Sequence, residues 1–175
     1  MEPITDNYNR KLRDLRISVT DRCNYRCPYC MPLEVYGEKY EFLKRNEILS
    51  FEEIERLVRL FVKLGVKKVR ITGGEPLVRK DLESLISRIN SIDSELDIAL
   101  TTNGYLLAEK VQNLKDAGLS RLTVSLDSLD EVTYKKMNGK GFGPGKVLLG
   151  IKNAEQIGFS PIKINVVVQK GYNDT

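Results

Sequence analysis

The run Leu64-Gly65-Val66-Lys67-Lys68-Val69-Arg70-Ile71 recurs twice more in kind, as Ala117-Gly118-Leu119-Ser120-Arg121-Leu122-Thr123-Val124 and as Ile157-Gly158-Phe159-Ser160-Pro161-Ile162-Lys163-Ile164. Each copy has a glycine where the end of a helix needs left-handed backbone, then an apolar residue, a short turn and a strand-like stretch. A helix that hands over to a strand again and again is the unit of a parallel sheet with right-handed crossovers. The chain is therefore expected to be α/β, an incomplete parallel (β/α) barrel of about five strands with outer helices.

Working outward, strands are expected at Leu15–Thr20, Lys68–Thr72, Asp97–Thr102, Arg121–Leu126 and Ile162–Val168. Ser50-Phe51-Glu52-Glu53 is a capping box that opens a helix with Ile54, Leu57, Val58 and Phe61 on its apolar face. Leu82, Leu85, Ile86 and Ile89 mark a second face, and Val111, Leu114 and Ala117 a third. Ser128 to Glu131 reads as another capping box before a short helix. Pro144 precedes a helix with Val147, Leu148, Ile151 and Ala154 on its face.

Strands buried on both sides would read as continuous aliphatic runs. These alternate. Arg16, Ser18 and Thr20 share one face of the first strand, Arg70 and Thr72 of the second, and Thr101 and Asn103 of the third. Thr123, Ser125 and Asp127 follow on the fourth, and Lys163 and Asn165 on the fifth. The apolar faces should meet the helices, leaving the polar faces to line a cavity.

All three cysteines of the chain, Cys23, Cys27 and Cys30, fall in the run Asp21-Arg22-Cys23-Asn24-Tyr25-Arg26-Cys27-Pro28-Tyr29-Cys30. Three thiolates on one loop can hold three irons of a [4Fe–4S] cluster, a centre that usually takes four cysteines. One iron is then left open, as catalytic metal sites leave a position for water or substrate. A structural zinc site wants four N or S ligands, and the sequence contains no histidine and no fourth cysteine. A disulfide framework would leave one cysteine over. Arg22 and Arg26 could screen the charge of a cluster.

The cysteine loop follows the first strand, and Gly73-Gly74-Glu75-Pro76 follows the second. Thr101-Thr102-Asn103-Gly104 ends the third and Ser125-Leu126-Asp127-Ser128 the fourth. Ligands of parallel α/β folds sit beyond these strand ends. Asp127 reads equally as an active-site carboxylate or as a cap for the next turn. Gly139-Lys140-Gly141-Phe142-Gly143-Pro144-Gly145 fits neither GxGxxG nor the P-loop and reads as a flexible connection. A net charge of +4 is too small to mark a nucleic-acid protein, and no apolar run is long enough to span a membrane. Thiols kept as metal ligands suit a reducing, cytoplasmic setting.

On these motifs the sequence resembles the radical S-adenosylmethionine (SAM) superfamily: the cysteine spacing with aromatic Tyr29 before the last cysteine, and Gly73-Gly74-Glu75-Pro76 at the next strand end. Within it, Asp14-Leu15-Arg16-Ile17-Ser18-Val19-Thr20-Asp21-Arg22-Cys23, Arg70-Ile71-Thr72-Gly73-Gly74-Glu75-Pro76-Leu77, Leu100-Thr101-Thr102-Asn103-Gly104, Val124-Ser125-Leu126-Asp127 and Asn165-Val166-Val167-Val168-Gln169-Lys170-Gly171 resemble the GTP 3′,8-cyclase family of molybdenum-cofactor biosynthesis. The resemblance implies that Cys23, Cys27 and Cys30 ligate the cluster, and that Tyr29, Gly73, Gly74, Glu75, Ser125 and Asn165 serve SAM. Arg16, Arg70, Thr101 and Lys163 would bind GTP, and three cations facing one cavity suit a triphosphate. An external electron donor would reduce the cluster, SAM would yield a 5′-deoxyadenosyl radical, and that radical would take the ribose 3′ hydrogen. The family is nearly twice as long and carries a second cluster in a C-terminal domain. The expectation is one domain over 1–175 that stops before the barrel closes, lacks that domain and is short of full turnover. A homodimer is admitted by this reading. The rival readings are another radical SAM enzyme, such as a peptide-modifying one, and a non-catalytic iron–sulfur module.

Overall fold

The computed structural model describes residues 4–174. Its strands are β1 (Asp14–Ser18), β2 (Lys68–Thr72), β3 (Asp97–Thr102), β4 (Arg121–Ser125) and β5 (Lys163–Asn165). Every neighbouring pair is parallel, and the order across the sheet is β1-β2-β3-β4-β5. Sheet order follows chain order without reversal, so right-handed crossovers put the connecting helices on a single face. That layer is α1 (Phe51–Lys63), α2 (Leu82–Asn90), α3 (Leu107–Asp116) and, beyond the short α4 (Glu131–Asn138), α5 (Gly145–Gln156).

The core lies between the two layers. Ile54 and Val58 of α1, Leu85 and Ile89 of α2, Leu114 of α3 and Val147 of α5 pack with Val69, Ile71, Ile98, Leu100, Leu122 and Val124 from the strands. These strand residues are the apolar half of the alternation, so the period-2 pattern oriented the sheet as expected.

The repeated glycines end their helices as read. Gly65, Gly118 and Gly158 have φ of 106°, 102° and 86°. In each case the glycine N–H and the next N–H return to carbonyls of the last helical turn: Val66 to Phe61, Leu119 to Leu114 and Phe159 to Ala154, all at 3.0 Å. This is the Schellman closure, and it aims the chain back into the sheet.

Four details differ from expectation. The fifth strand is shorter, because Val167 N–H is taken by the Asp127 carboxylate at 2.9 Å and Gln169 N–H by Asn173 Oδ1 at 2.7 Å. Those bonds pull 166–168 out of the ladder. Asp130, not Ser128, caps α4, accepting from Thr133 N at 2.8 Å, while Ser128 Oγ accepts from Asp130 N. Leu57 and Leu148, placed on helix faces above, are exposed. The glycine-rich stretch after α4 is folded around buried Asn138, whose Nδ2 donates to Tyr134 O and Phe142 O at 2.7 Å and whose Oδ1 accepts from Lys140 N at 2.9 Å.

Candidate active site

The cysteine loop and the Gly73-Gly74 turn meet at the C-terminal ends of β1 and β2. Gly74 N donates to Thr20 O at 2.7 Å and Glu75 N to Arg22 O at 2.8 Å. A Cβ on Gly73 would sit 2.7 Å from Thr20 O, and one on Gly74 would run into the Arg22 carbonyl. Two glycines are needed because two backbones touch.

The loop is tight and braced from several sides. Cys27 O accepts from Cys30 N and Met31 N, both at 2.9 Å. The Arg26 guanidinium donates to Cys23 O (2.8 Å), Tyr25 O (2.7 Å) and Tyr36 O (2.7 Å), so Arg26 shapes the loop and fastens the 31–49 segment to it. Tyr25 is buried, its hydroxyl 3.1 Å from that of Tyr134 and its ring among Tyr105 and Phe142. From below, Arg26 N donates to Asn138 O at 2.9 Å, and a Cβ on Gly139 would overlap the Arg26 carbonyl. This brace from α4 was not legible in the sequence; a tyrosine inside the cysteine loop, with aromatics at 105, 134 and 142, was its only trace.

The three thiols are free, with Cys30 exposed and the other two half-buried. Burial pushes Cys23 up from its ordinary value and Cys27 up to about 12. Neutral buried thiols turn into good ligands only when a cation offsets the desolvation of the thiolate. Among the described residues no three His, Cys, Asp or Glu side chains close around a single ion. Three thiols spread over one loop suit a polynuclear iron–sulfur centre, where each sulfur takes its own iron. One orphan polar atom agrees: Asn24 Nδ2, next to Cys23, is buried without a partner. A donor left unpaired beside a ligand cysteine fits a group that brings acceptor atoms, such as cluster sulfides. Tyr25 N (3.4 Å) and Asn103 Nδ2 (3.9 Å) also point hydrogens at Cys23 Sγ.

Glu75, expected to serve SAM, turns its side chain into the protein. Its side chain is 1% exposed, and its oxygens accept from Leu77 N (3.0 Å), Thr102 Oγ1 (2.7 Å) and Asn103 N (2.7 Å). The carboxylate ties the turn after β2 to the end of β3, and the backbone of Gly73 and Gly74 is what remains half-exposed at the rim.

On the polar face of the sheet, Arg16 pairs in register with Arg70 and Arg70 with Ala99, while Thr101 pairs with Thr123 and Thr123 with Lys163. Arg70 Nη1 donates to Thr101 Oγ1 at 3.3 Å. Lower on the same face Asp97 engages Lys68 at 3.5 Å and Arg121 at 2.8 Å. Among the described residues Arg16, Arg70 and Lys163 have no carboxylate at ion-pair distance. Arg16 and Lys163, on the outer strands, are exposed, and Arg70 and Thr101 are half-buried, so the expected cavity is an open face rather than an enclosed one.

Ser125 and Asn165 are register partners at the ends of β4 and β5. Beside them Asp127, 9% exposed, accepts from the Tyr29 hydroxyl through Oδ2 and from Val167 N through Oδ1. The structure thus brings Tyr29 of the cysteine loop to the rim of β4 and β5.

Comparison with known proteins matches this architecture. Residues 17–175 match the family model described as the radical SAM superfamily. The chain is 51% identical over 174 residues to the GTP 3′,8-cyclases of Staphylococcus aureus strains JH9 and Newman, covering 99% of this chain and 51% of each relative. It therefore spans about half the length of the curated relatives it matches. Among solved structures, Streptococcus suis SuiB bound to S-adenosylmethionine superposes with a TM-score of 0.74 at 23% identity, over 90% of this chain and 34% of that one. Methylornithine synthase superposes with a TM-score of 0.68 at 17% identity, over 89% of this chain and 45% of that one. At such identities the superpositions speak for the fold alone. The match over nearly the whole chain, on the cysteine loop and strand ends described above, decides the family: this chain belongs to the radical SAM superfamily.

Proposed function

We propose that this chain is the SAM-cleaving and nucleotide-binding portion of a GTP 3′,8-cyclase, the enzyme that opens molybdenum-cofactor biosynthesis. The observation that carries the reading is the set of three cations, Arg16, Arg70 and Lys163, that have no carboxylate at ion-pair distance among the described residues, on the polar face beneath the cysteine loop. A neighbouring aspartate engages Lys68 and Arg121 on that same face. Guanidinium and ammonium groups without a carboxylate partner suit a polyanion such as a triphosphate. The curated relatives at 51% identity carry the same activity in their names.

Cys23, Cys27 and Cys30 would hold a [4Fe–4S] cluster. Once bound there with SAM and given an electron from an external donor, that centre would supply reductive cleavage of SAM to methionine and a 5′-deoxyadenosyl radical. The remaining work belongs to the chain. The backbone of Gly73 and Gly74, kept in place by the inward Glu75 carboxylate, would serve the amino-acid end of SAM. Ser125 and Asn165, side by side on two strand ends, would contact SAM, as would Tyr29. Arg16, Arg70, with Thr101 steadying its guanidinium, and Lys163 draw the triphosphate onto the sheet and so direct the ribose toward the rim. Among the described residues no helix is long and apolar enough to cross a membrane; a reducing cytoplasm is the setting that keeps three thiols available as ligands.

The test is GTP binding to the cluster-loaded chain. Arg70→Ala and Arg16→Ala should each weaken it about tenfold or more, the worth of one charge-assisted contact. Arg121→Ala, which removes a cation already paired with Asp97, should leave it unchanged. Equal effects from all three would remove the basis of the reading.

A further inference from the structure

We propose that Asp127 is a positioning residue that fixes the ring of Tyr29, and through it the cysteine loop, against the ends of β4 and β5. The proposal rests on the SAM-cleaving reading above and adds to it a role for a residue that the sequence left open. Asp127 lies at the centre of a small bracket. Its Oδ2 accepts from the Tyr29 hydroxyl, and its Oδ1 from Val167 N at 2.9 Å. Its own carbonyl accepts from Asn173 Nδ2 at 2.7 Å, and the same amide nitrogen donates to Val167 O at 3.0 Å. Asn173 Oδ1 in turn accepts from Gln169 N at 2.7 Å. One buried carboxylate therefore joins the cysteine loop, the end of β4 and the turn after β5.

The arrangement explains two otherwise odd features. Tyr29 is a partly exposed tyrosine on a loop tip, yet its hydroxyl is not left to solvent. The chain after Asn165 leaves the ladder although Val166-Val167-Val168 is a strong strand sequence, because Asp127 takes the Val167 N–H. Both follow if the rim is built to hold Tyr29. Arg26 and Asn138 brace the front of the cysteine loop, and Asp127 braces its end, between Cys27 and Cys30.

Side-chain chemistry separates positioning from direct chemistry. Asn at this position keeps Oδ1 for Val167 N, and its Nδ2 can donate to the Tyr29 hydroxyl oxygen, which accepts as well as it donates. Asn therefore preserves the bracket but carries no charge and cannot accept a proton. Ala removes the bracket.

The experiment uses the whole chain in two states. In the metal-free, reduced chain, hydrogen exchange of the Cys30 and Met31 amides reports the loop directly, since both are bonded to Cys27 O. Exchange should quicken in Asp127→Ala and in Tyr29→Phe and return to the native rate in Asp127→Asn. In the cluster-loaded chain, SAM binding should weaken about tenfold in Asp127→Ala and in Tyr29→Phe, the worth of one hydrogen bond of this kind. The double variant should be no weaker than the weaker single, because the two groups act as one unit. Asp127→Asn should recover most of the lost binding. Additive losses in the double variant, or an Asn variant as impaired as the Ala variant, would overturn the proposal, the latter by showing that the charge itself is needed. Failure of the native chain to bind SAM would count against the SAM-cleaving reading alone, while the exchange rates still decide the bracket.

Discussion

Glu75 is a charged group placed where charge is expensive. Burial pushes it up to about 6 from an ordinary value of 4.5, against three donors that pull the other way. A carboxyl group raised in the folded state binds its proton more tightly there than in the unfolded chain. Its contribution to stability is thus fully present below pH 4.5 and lost as the pH rises through 6. The expected loss across that window is on the order of 2 kcal/mol, read by urea denaturation at each pH and absent in Glu75→Gln. At neutral pH the Gln variant escapes that charge cost but leaves one of the three donors unpaired, since an amide NH2 offers it nothing to bond, so the two effects oppose each other. A native chain whose stability does not fall across that window, or a Gln variant that falls with it, would contradict this reading. Residue-scale chemistry was only half legible in the sequence. The spacing of Cys23, Cys27 and Cys30 is local and reads directly. The inward direction of Glu75 depends on Thr102 and Asn103, strand neighbours that no local pattern near Gly73-Gly74 reveals.

The three helix-ending glycines offer a comparison at the scale of the element. All have strongly positive φ, but a Cβ on Gly158 would meet nothing, whereas one on Gly118 would come within 2.5 Å of the Asn90 side chain. Gly158→Ala should therefore cost only the left-handed strain, about 1–2 kcal/mol. Gly118→Ala should cost more, because Asn90 must also move. Equal losses in denaturant midpoint would mean that α2 and the start of β4 are looser than their packing implies. Helices and strands were largely readable, since periods of 3.6 and 2 and a repeated Gly-apolar closure are written in consecutive residues. The errors came where a side chain from elsewhere outcompeted the local pattern. Asp130 took the cap that Ser128 offered, Asp127 drew Val167 from its strand, and Asn138 gathered a glycine-rich run into a closed turn.

At the scale of the molecule, the sequential parallel order separates the two halves of the job. The apolar faces of β2, β3 and β4 are given to the helices, which frees the other face for arginine, lysine and threonine at no cost to the core. The C-terminal strand ends collect the cysteine loop, the glycine turn and the Ser125–Asn165 pair at one rim above those cations. The alternation predicted this division. It did not predict how open the polar face is, because enclosure depends on what flanks the outer strands, where Arg16, Lys163 and Ile164 are exposed. The central claim is that the three thiols hold a four-iron cluster with one iron free for SAM. Its most direct measurement is electron paramagnetic resonance of the anaerobically reconstituted, reduced chain before and after addition of SAM. The account predicts a [4Fe–4S] signal that changes shape when SAM is added and is lost in Cys27→Ala. A signal indifferent to SAM, or one that survives the loss of Cys27, would contradict it.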